Sequence, residues 1–183
     1  MKRNRLSPVL ASALNAQMTK EAYASQIYLS FASWADTQGF EGVATFLFRH
    51  ANEERNHMMK ILEYILKRGA PVVISAIPAP PAHPASINNC FEMVFAHEVD
   101  NTTAIYKLAK MSMDEEDWAT WNFMQWFVKE QVEEETLALK LLDKMKIAGG
   151  DKAQADALYM VDSELLNAPD KARAAEDVTT ENP

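Results

Sequence analysis

The chain has 183 residues, 48% hydrophobic and 24% charged, with a formal net charge of -8. That length suits one domain whose core needs no staples, and the even spread of charge argues against disorder. The acidic balance disfavours nucleic acid and anionic membranes as partners, and the single cysteine, Cys90, excludes an intramolecular disulfide framework.

The basic start, Met1-Lys-Arg-Asn-Arg, is followed by Leu6-Ser-Pro-Val-Leu-Ala-Ser-Ala-Leu-Asn, which is too interrupted for a signal-peptide core. No stretch approaches the roughly 18 uncharged apolar residues of a spanning helix, so no membrane role is expected. A reducing, cytoplasmic location is expected. A processed organellar protein would read the same, its transit peptide already removed.

Ser7-Pro8 reads as an N-cap with proline at the first helical position. Apolar residues at Leu10, Leu14, Met18, Ala22 and Leu29 continue a helical spacing through Trp34 to a stop at Gly39. This predicts a first helix over about 8–37. A second, over about 40–68, carries Phe46, Leu47, Met58, Ile61, Leu62 and Ile65 and closes at Gly69 with Pro71 beyond. Pro78, Pro80, Pro81 and Pro84 make the stretch from Ala70 to Ala85 an extended connection, not a strand built on Val72-Val-Ile. Ser86 caps a third helix, about 87–113, bearing Phe91, Val94, Phe95, Val99 and Ile105. The acidic turn Asp114-Glu-Glu-Asp leads into a fourth, about 117–147, which ends at Gly149-Gly150. A shorter fifth helix spans about 154–167, and 170–183 is a polar tail, so residues 1–169 are expected to form a single domain.

Short links make the first and second helices, and the third and fourth, antiparallel hairpins. The long proline-rich link reaches the length of the bundle and makes helices two and three parallel. The fold class is all-α: a four-helix bundle with one long crossover.

The sharpest local feature is Glu53-Glu54-Arg55-Asn56-His57. Glu54 and His57 are three apart and leave one helical face, so both can grip one ion. Alone, that pair is as well read as surface chemistry. Yet each other long helix also sets a carboxylate among apolar neighbours: Glu21 near Met18 and Ile27, Glu98 between Phe95 and Val99, and Glu134, with Gln131, after Trp126-Phe127-Val128. Buried carboxylates without partners are costly, so the four together point to cations. Carboxylates with one imidazole suit iron or manganese, where a thiolate-rich set would suit zinc.

The runs Phe46-Leu-Phe-Arg-His-Ala-Asn-Glu-Glu-Arg-Asn-His-Met, Leu14-Asn-Ala-Gln-Met, Phe123-Met-Gln-Trp-Phe-Val-Lys-Glu-Gln-Val-Glu-Glu-Glu and Leu158-Tyr-Met-Val-Asp-Ser-Glu-Leu resemble the bacterial non-haem ferritins, a likeness extending from Leu14 to about Leu166. The resemblance implies a ferritin-like bundle whose subunits oxidise Fe(II) with dioxygen and store ferric mineral inside a 24-subunit homo-oligomeric shell. It assigns one iron to Glu21, Glu54 and His57. A second falls to the bridging Glu54 with Glu98 and Glu134, Gln131 lying close by. A third position matches Glu53, Glu130, Glu133 and Glu134. Tyr28 and Trp126 match aromatic residues beside the site, and core packing accounts for them equally well.

Where haem-binding relatives and di-iron oxygenases repeat Glu-x-x-His, this chain has Gln131-Val-Glu-Glu, and Arg55 stands at the haem-methionine position. No haem is expected. A non-storing di-iron or di-manganese oxidase or peroxidase is the alternative. Of the remaining histidines, His50 reads as a hydrogen-bonded helix residue, His97 should point off the face of Glu98, and His83 lies in the crossover. The ten methionines read as core filler, and the acidic run from Asp114 to Asp117 as a solvated turn.

Overall fold

The computed structural model describes residues 4–168, so the proposed polar tail at 170–183 lies outside the described residues. Four long helices, α1 (Pro8–Thr37), α2 (Glu41–Lys67), α3 (Ile87–Asp114) and α4 (Trp118–Ala148), are followed by a short 3-10 turn and α5 (Ala155–Leu166). No strand forms among the described residues, and Ala70 to Ala85 is irregular. No helix there is long and apolar enough to cross a membrane.

The helix ends follow from local chemistry. Ser7 Oγ accepts from the Leu10 amide at 3.1 Å and Ser86 Oγ from the Asn89 amide at 3.0 Å, each satisfying an orphan donor. Asp117 does the same for Thr120 at 3.1 Å. Gly149 ends α4 in the left-handed conformation, φ 111°, which an L side chain rarely adopts.

Contacts at the two ends fix the topology. Arg68, just past α2, bonds Asp117, just past α3, at 2.9 Å, so α2 and α3 finish at the same end. Ser86, before α3, bonds Asp151, after α4, at the other end. Helices α2 and α3 are therefore parallel, and the connection from Ala70 to Ala85 must run the full length. At its start Asn15 of α1 holds it, accepting from the Val73 amide at 2.7 Å.

The buried face of each helix keeps a seven-residue repeat. On α1 it runs Leu10, Leu14, Gln17, Glu21, Ala24, Tyr28, Phe31, Ala35; on α4, Met124, Phe127, Gln131, Glu134, Ala138, Leu141, Met145. Such alternating steps of three and four keep one seam facing inward along a whole bundle. The seam corrects the apolar spacing read on α1: Ala22 is only half-buried and Leu29 is exposed, while Gln17 and Glu21 point inward. Val99, likewise, is exposed.

The core divides in two. One cluster gathers Tyr28, Phe31, Leu47, Phe91, Val94 and Leu141, near α5; the other gathers Leu10, Leu14, Ile61, Ile65, Ile105 and Phe127. Between them lies a layer of buried polar side chains drawn from all four helices.

Candidate metal centre

Each long helix sends one carboxylate into that layer from a seam position. Glu21 is 0% exposed, Glu54 2%, Glu98 1% and Glu134 4%. His57 accompanies them from α2, one turn beyond Glu54, with Nδ1 3.5 Å from Glu54 Oε2. Glu21, Glu54 and His57 offer ligand atoms within 4.8 Å of one another.

Three of the carboxylates differ in how they are held. Glu21 accepts from Gln17 Nε2 through Oε1 at 2.7 Å and from Asn101 Nδ2 through Oε2 at 3.3 Å. Glu98 accepts from the Tyr28 hydroxyl on one oxygen and from Gln131 Nε2 on the other at 3.3 Å. Glu54 Oε2 is buried with no hydrogen-bond partner. An orphaned carboxylate oxygen amid three further carboxylates is costly unless a cation completes it.

The electrostatics agree. Burial, followed by the charges of Glu21 and Glu98, holds the Glu54 carboxyl well above its usual range. Burial also lifts Glu98 to about 7, against the hydrogen bond from Tyr28. The Tyr28 phenol is pushed well up, by burial and then by Glu98. A dication would reverse the preference of the two carboxyls by favouring their ionised forms.

A second group forms beside the first. His50, Glu53 and Glu134 offer ligand atoms within 4.8 Å of one another, His50 Nε2 standing 3.6 Å from Glu53 and 3.5 Å from Glu134. His50 makes the expected helix bond, Nδ1 lying 2.9 Å from the Phe46 carbonyl, but its other nitrogen faces the carboxylates. Burial works against its protonation, yet Glu134 and Glu53 outweigh burial and raise its pKa. Sequence reasoning set His50 aside; the spacing His50, Glu54, His57 on one seam was the available signal. Glu130 is half-buried and Glu133 is exposed beside Lys129; neither joins this group.

Trp126 is 38% exposed and packs at the margin of the core, 4.8 Å from the Phe127 ring. It stands edge-on to His57 with ring centroids 5.4 Å apart, and Lys60 lies over its outer face at 4.1 Å. His97 lies off the face of Glu98, yet its ring meets Tyr28 edge-on at 6.2 Å, and burial lowers its pKa to about 4. The unforeseen members of the layer are Gln17 and Asn101, polar residues at seam positions, and Thr102 next to Asn101.

Residues 11–148 match the family described as Ferritin-like domain. The chain is 41% identical to a probable bacterial non-heme ferritin-like protein of Haemophilus influenzae, over 91% of this chain and 99% of that one. It is 38% identical to a bacterial non-heme ferritin of Escherichia coli O157:H7, over 87% and 95%. Among solved structures, an open pore ferritin from Archaeoglobus fulgidus superposes with a TM-score of 0.86 at 39% identity, covering 90% of this chain and 99% of that one. A matched family domain over most of the chain, two relatives aligned nearly end to end and a bundle with one full-length crossover agree: this chain belongs to the ferritin family.

Proposed function

We propose that the chain is an iron-storage ferritin subunit that oxidises ferrous iron with dioxygen and deposits ferric oxy-hydroxide inside a homo-oligomeric shell of 24 subunits. The observation that carries this reading is Glu54: its Oε2 is buried without a hydrogen-bond partner while Glu21 and Glu98 raise the cost of its charge. Two ferrous ions would remove that cost.

In this reading Glu21, Glu54 and His57 bind one ferrous substrate ion, and Glu54, Glu98 and Glu134 bind the other. Gln131 turns its amide nitrogen toward Glu98, so here it holds that carboxylate in place. Each ion gives up one electron, and the pair passes to one oxygen molecule. Hard carboxylates favour the ferric product, and an incomplete ligand set lets it move on. Tyr28, bonded to Glu98, is next to the electron-transfer step. Glu53 and Glu134 mark a third position, to which Glu130 and Glu133 belong by resemblance; His50 is a further ligand for it on its geometry.

The test is ferrous iron added in measured aliquots in air, with ferric absorbance and particle size followed together. His57→Ala and Glu98→Ala should remove the fast oxidation phase while leaving assembly intact. Glu130→Ala should alter how quickly the site clears. Oxidation with no mineral retained in a large particle would favour a non-storing oxidase.

A further inference from the structure

Three buried amides join the two sides of the metal centre in a line: Gln17 on α1, Asn101 on α3 and Gln131 on α4, exposed by 4%, 1% and 2%. The sense of every hydrogen bond in that line is set from its ends. Gln131 Nε2 lies 3.4 Å from the Glu98 backbone carbonyl, which can only accept, and 3.3 Å from the Glu98 carboxylate. The atom facing Glu98 is therefore the nitrogen, and Gln131 Oε1 faces Asn101. Asn101 Nδ2 donates to that oxygen at 3.4 Å and to Glu21 Oε2 at 3.3 Å. Asn101 Oδ1 is left to accept, and Gln17 Nε2 donates to it at 2.8 Å while also reaching Glu21 Oε1 at 2.7 Å. Turning any one amide over would set oxygen against oxygen, so the line has one consistent arrangement.

We propose that Asn101 is a positioning residue for the paired-metal centre, bracing the Gln131 amide against Glu98 through its Oε1 while it donates to Glu21. This rests on the ferrous-binding reading above. The carboxylates it orients lie in different halves of the ligand set, Glu21 with one ion and Glu98 with the other. Asn101 touches neither ion in that scheme and acts only through its neighbours. Its effect is to fix both carboxylates before metal arrives, which lowers the reorganisation needed on binding. A leucine of similar volume would leave Gln131 Oε1 without its donor, loosen the amide's seat against Glu98, and remove one of the two bonds to Glu21.

The experiment uses the assembled full-length protein, titrated anaerobically with Co(II), whose visible absorption reports ligand geometry and needs no turnover. Asn101→Leu, Gln131→Leu and the double variant are compared, with circular dichroism and sedimentation confirming fold and assembly. Asn101→Leu should weaken paired binding roughly tenfold or more, the scale of lost outer-shell contacts. Because Asn101 acts partly through Gln131, the double variant should lose less than the product of the two single losses. Wild-type binding by Asn101→Leu, or losses that multiply, would overturn the proposal. If the leucine variant does not assemble, Asn101→Ala enters the same cycle with the same expectations. Failure of the wild-type protein to take up paired Co(II) would sink the ferrous-binding reading itself, which the variant comparison keeps separate.

Discussion

At the scale of single residues, Glu54 and Glu98 would make metal binding at the proposed centre a proton exchange. Burial lifts Glu98 to about 7 and, with its neighbours' charges, holds Glu54 well above the ordinary range. Protons held there near neutrality must leave when dications arrive. Ferrous binding at pH 6.5, measured anaerobically in weakly buffered solution, should release protons and should weaken as pH falls through about 7; metal uptake with no proton release would show both groups already ionised. The same shifts act on the metal-free fold. A carboxyl whose pKa rises from roughly 4.3 on folding binds more protons in the native state, so stability falls as pH climbs from there to about 7. Thermal midpoints of metal-free protein should accordingly be higher at pH 5 than at pH 7.5 so far as these groups decide. Glu54→Gln replaces one of four buried carboxyls, at nearly constant volume, with an amide that never has to ionise. It should keep or raise the metal-free midpoint, by roughly 2–4 °C per kcal/mol gained, while abolishing paired ferrous binding. Two dications repel four times as strongly as two single charges at equal distance, and the bridge between them would be gone. The charged members of this site were legible in the sequence because a carboxylate among apolar neighbours is conspicuous. Gln17 and Asn101 were not, since an uncharged amide has no motif; only their seam positions, in step with Glu21 and Glu98, set them apart.

At the scale of elements, α2 and α5 depend on each other. Phe40 precedes α2 and offers no side-chain cap. Asp162 of α5 supplies one from outside, accepting from the Val43 amide at 2.8 Å, where its charge also suits the positive end of α2. The close approach needs Gly42: a Cβ there would lie 1.8 Å from the Asp162 carbonyl oxygen. Gly42→Ala should therefore displace α5, lowering the thermal midpoint and exposing the link from Gly149 to Gln154 to protease. Asp162→Ala should cost less, about 1 kcal/mol, as a lost cap does. An unchanged midpoint and digestion pattern in Gly42→Ala would show that α5 does not need this contact. The sequence marks most helix ends well, because Ser7, Ser86 and Gly149 act on their own backbone neighbours. It places the start of α2 within a residue but gives no sign of what caps it, because the capping group comes from a residue 119 positions away. The α1 stripe was misread for a related reason: following apolar residues alone leads to Ala22 and Leu29, whereas the seam passes through two polar residues that only the other helices justify.

At the scale of the whole molecule, the proposed metal chemistry and the proposed contacts between copies fall on different parts of the chain. The layer holding Glu21, Glu54, His57, Glu98 and Glu134 is built within one chain, so an isolated subunit contains every ligand of the proposed pair. The apolar residues left outside lie elsewhere: Ile147 at the end of α4 is 88% exposed, Tyr159 and Met160 on α5 are 72% and 71% exposed, and Ile74 in the crossover is 77% exposed. Apolar side chains exposed in this number mark surfaces for partners, and identical chains meet through closed symmetry. Tyr159→Glu with Met160→Glu puts two like charges on α5 at any contact between copies, where desolvating them is expensive. The double variant should sediment as smaller species than the wild type. It should still bind the ferrous pair and keep the first rapid oxidation phase, because every proposed ligand comes from one chain. Ferric product would then have no enclosed space, and continued iron addition in air should give turbidity where the wild type stays clear. Loss of the rapid phase in fully folded small species would mean that a neighbouring copy completes the site. An unchanged sedimentation profile would instead place the contacts between copies away from α5.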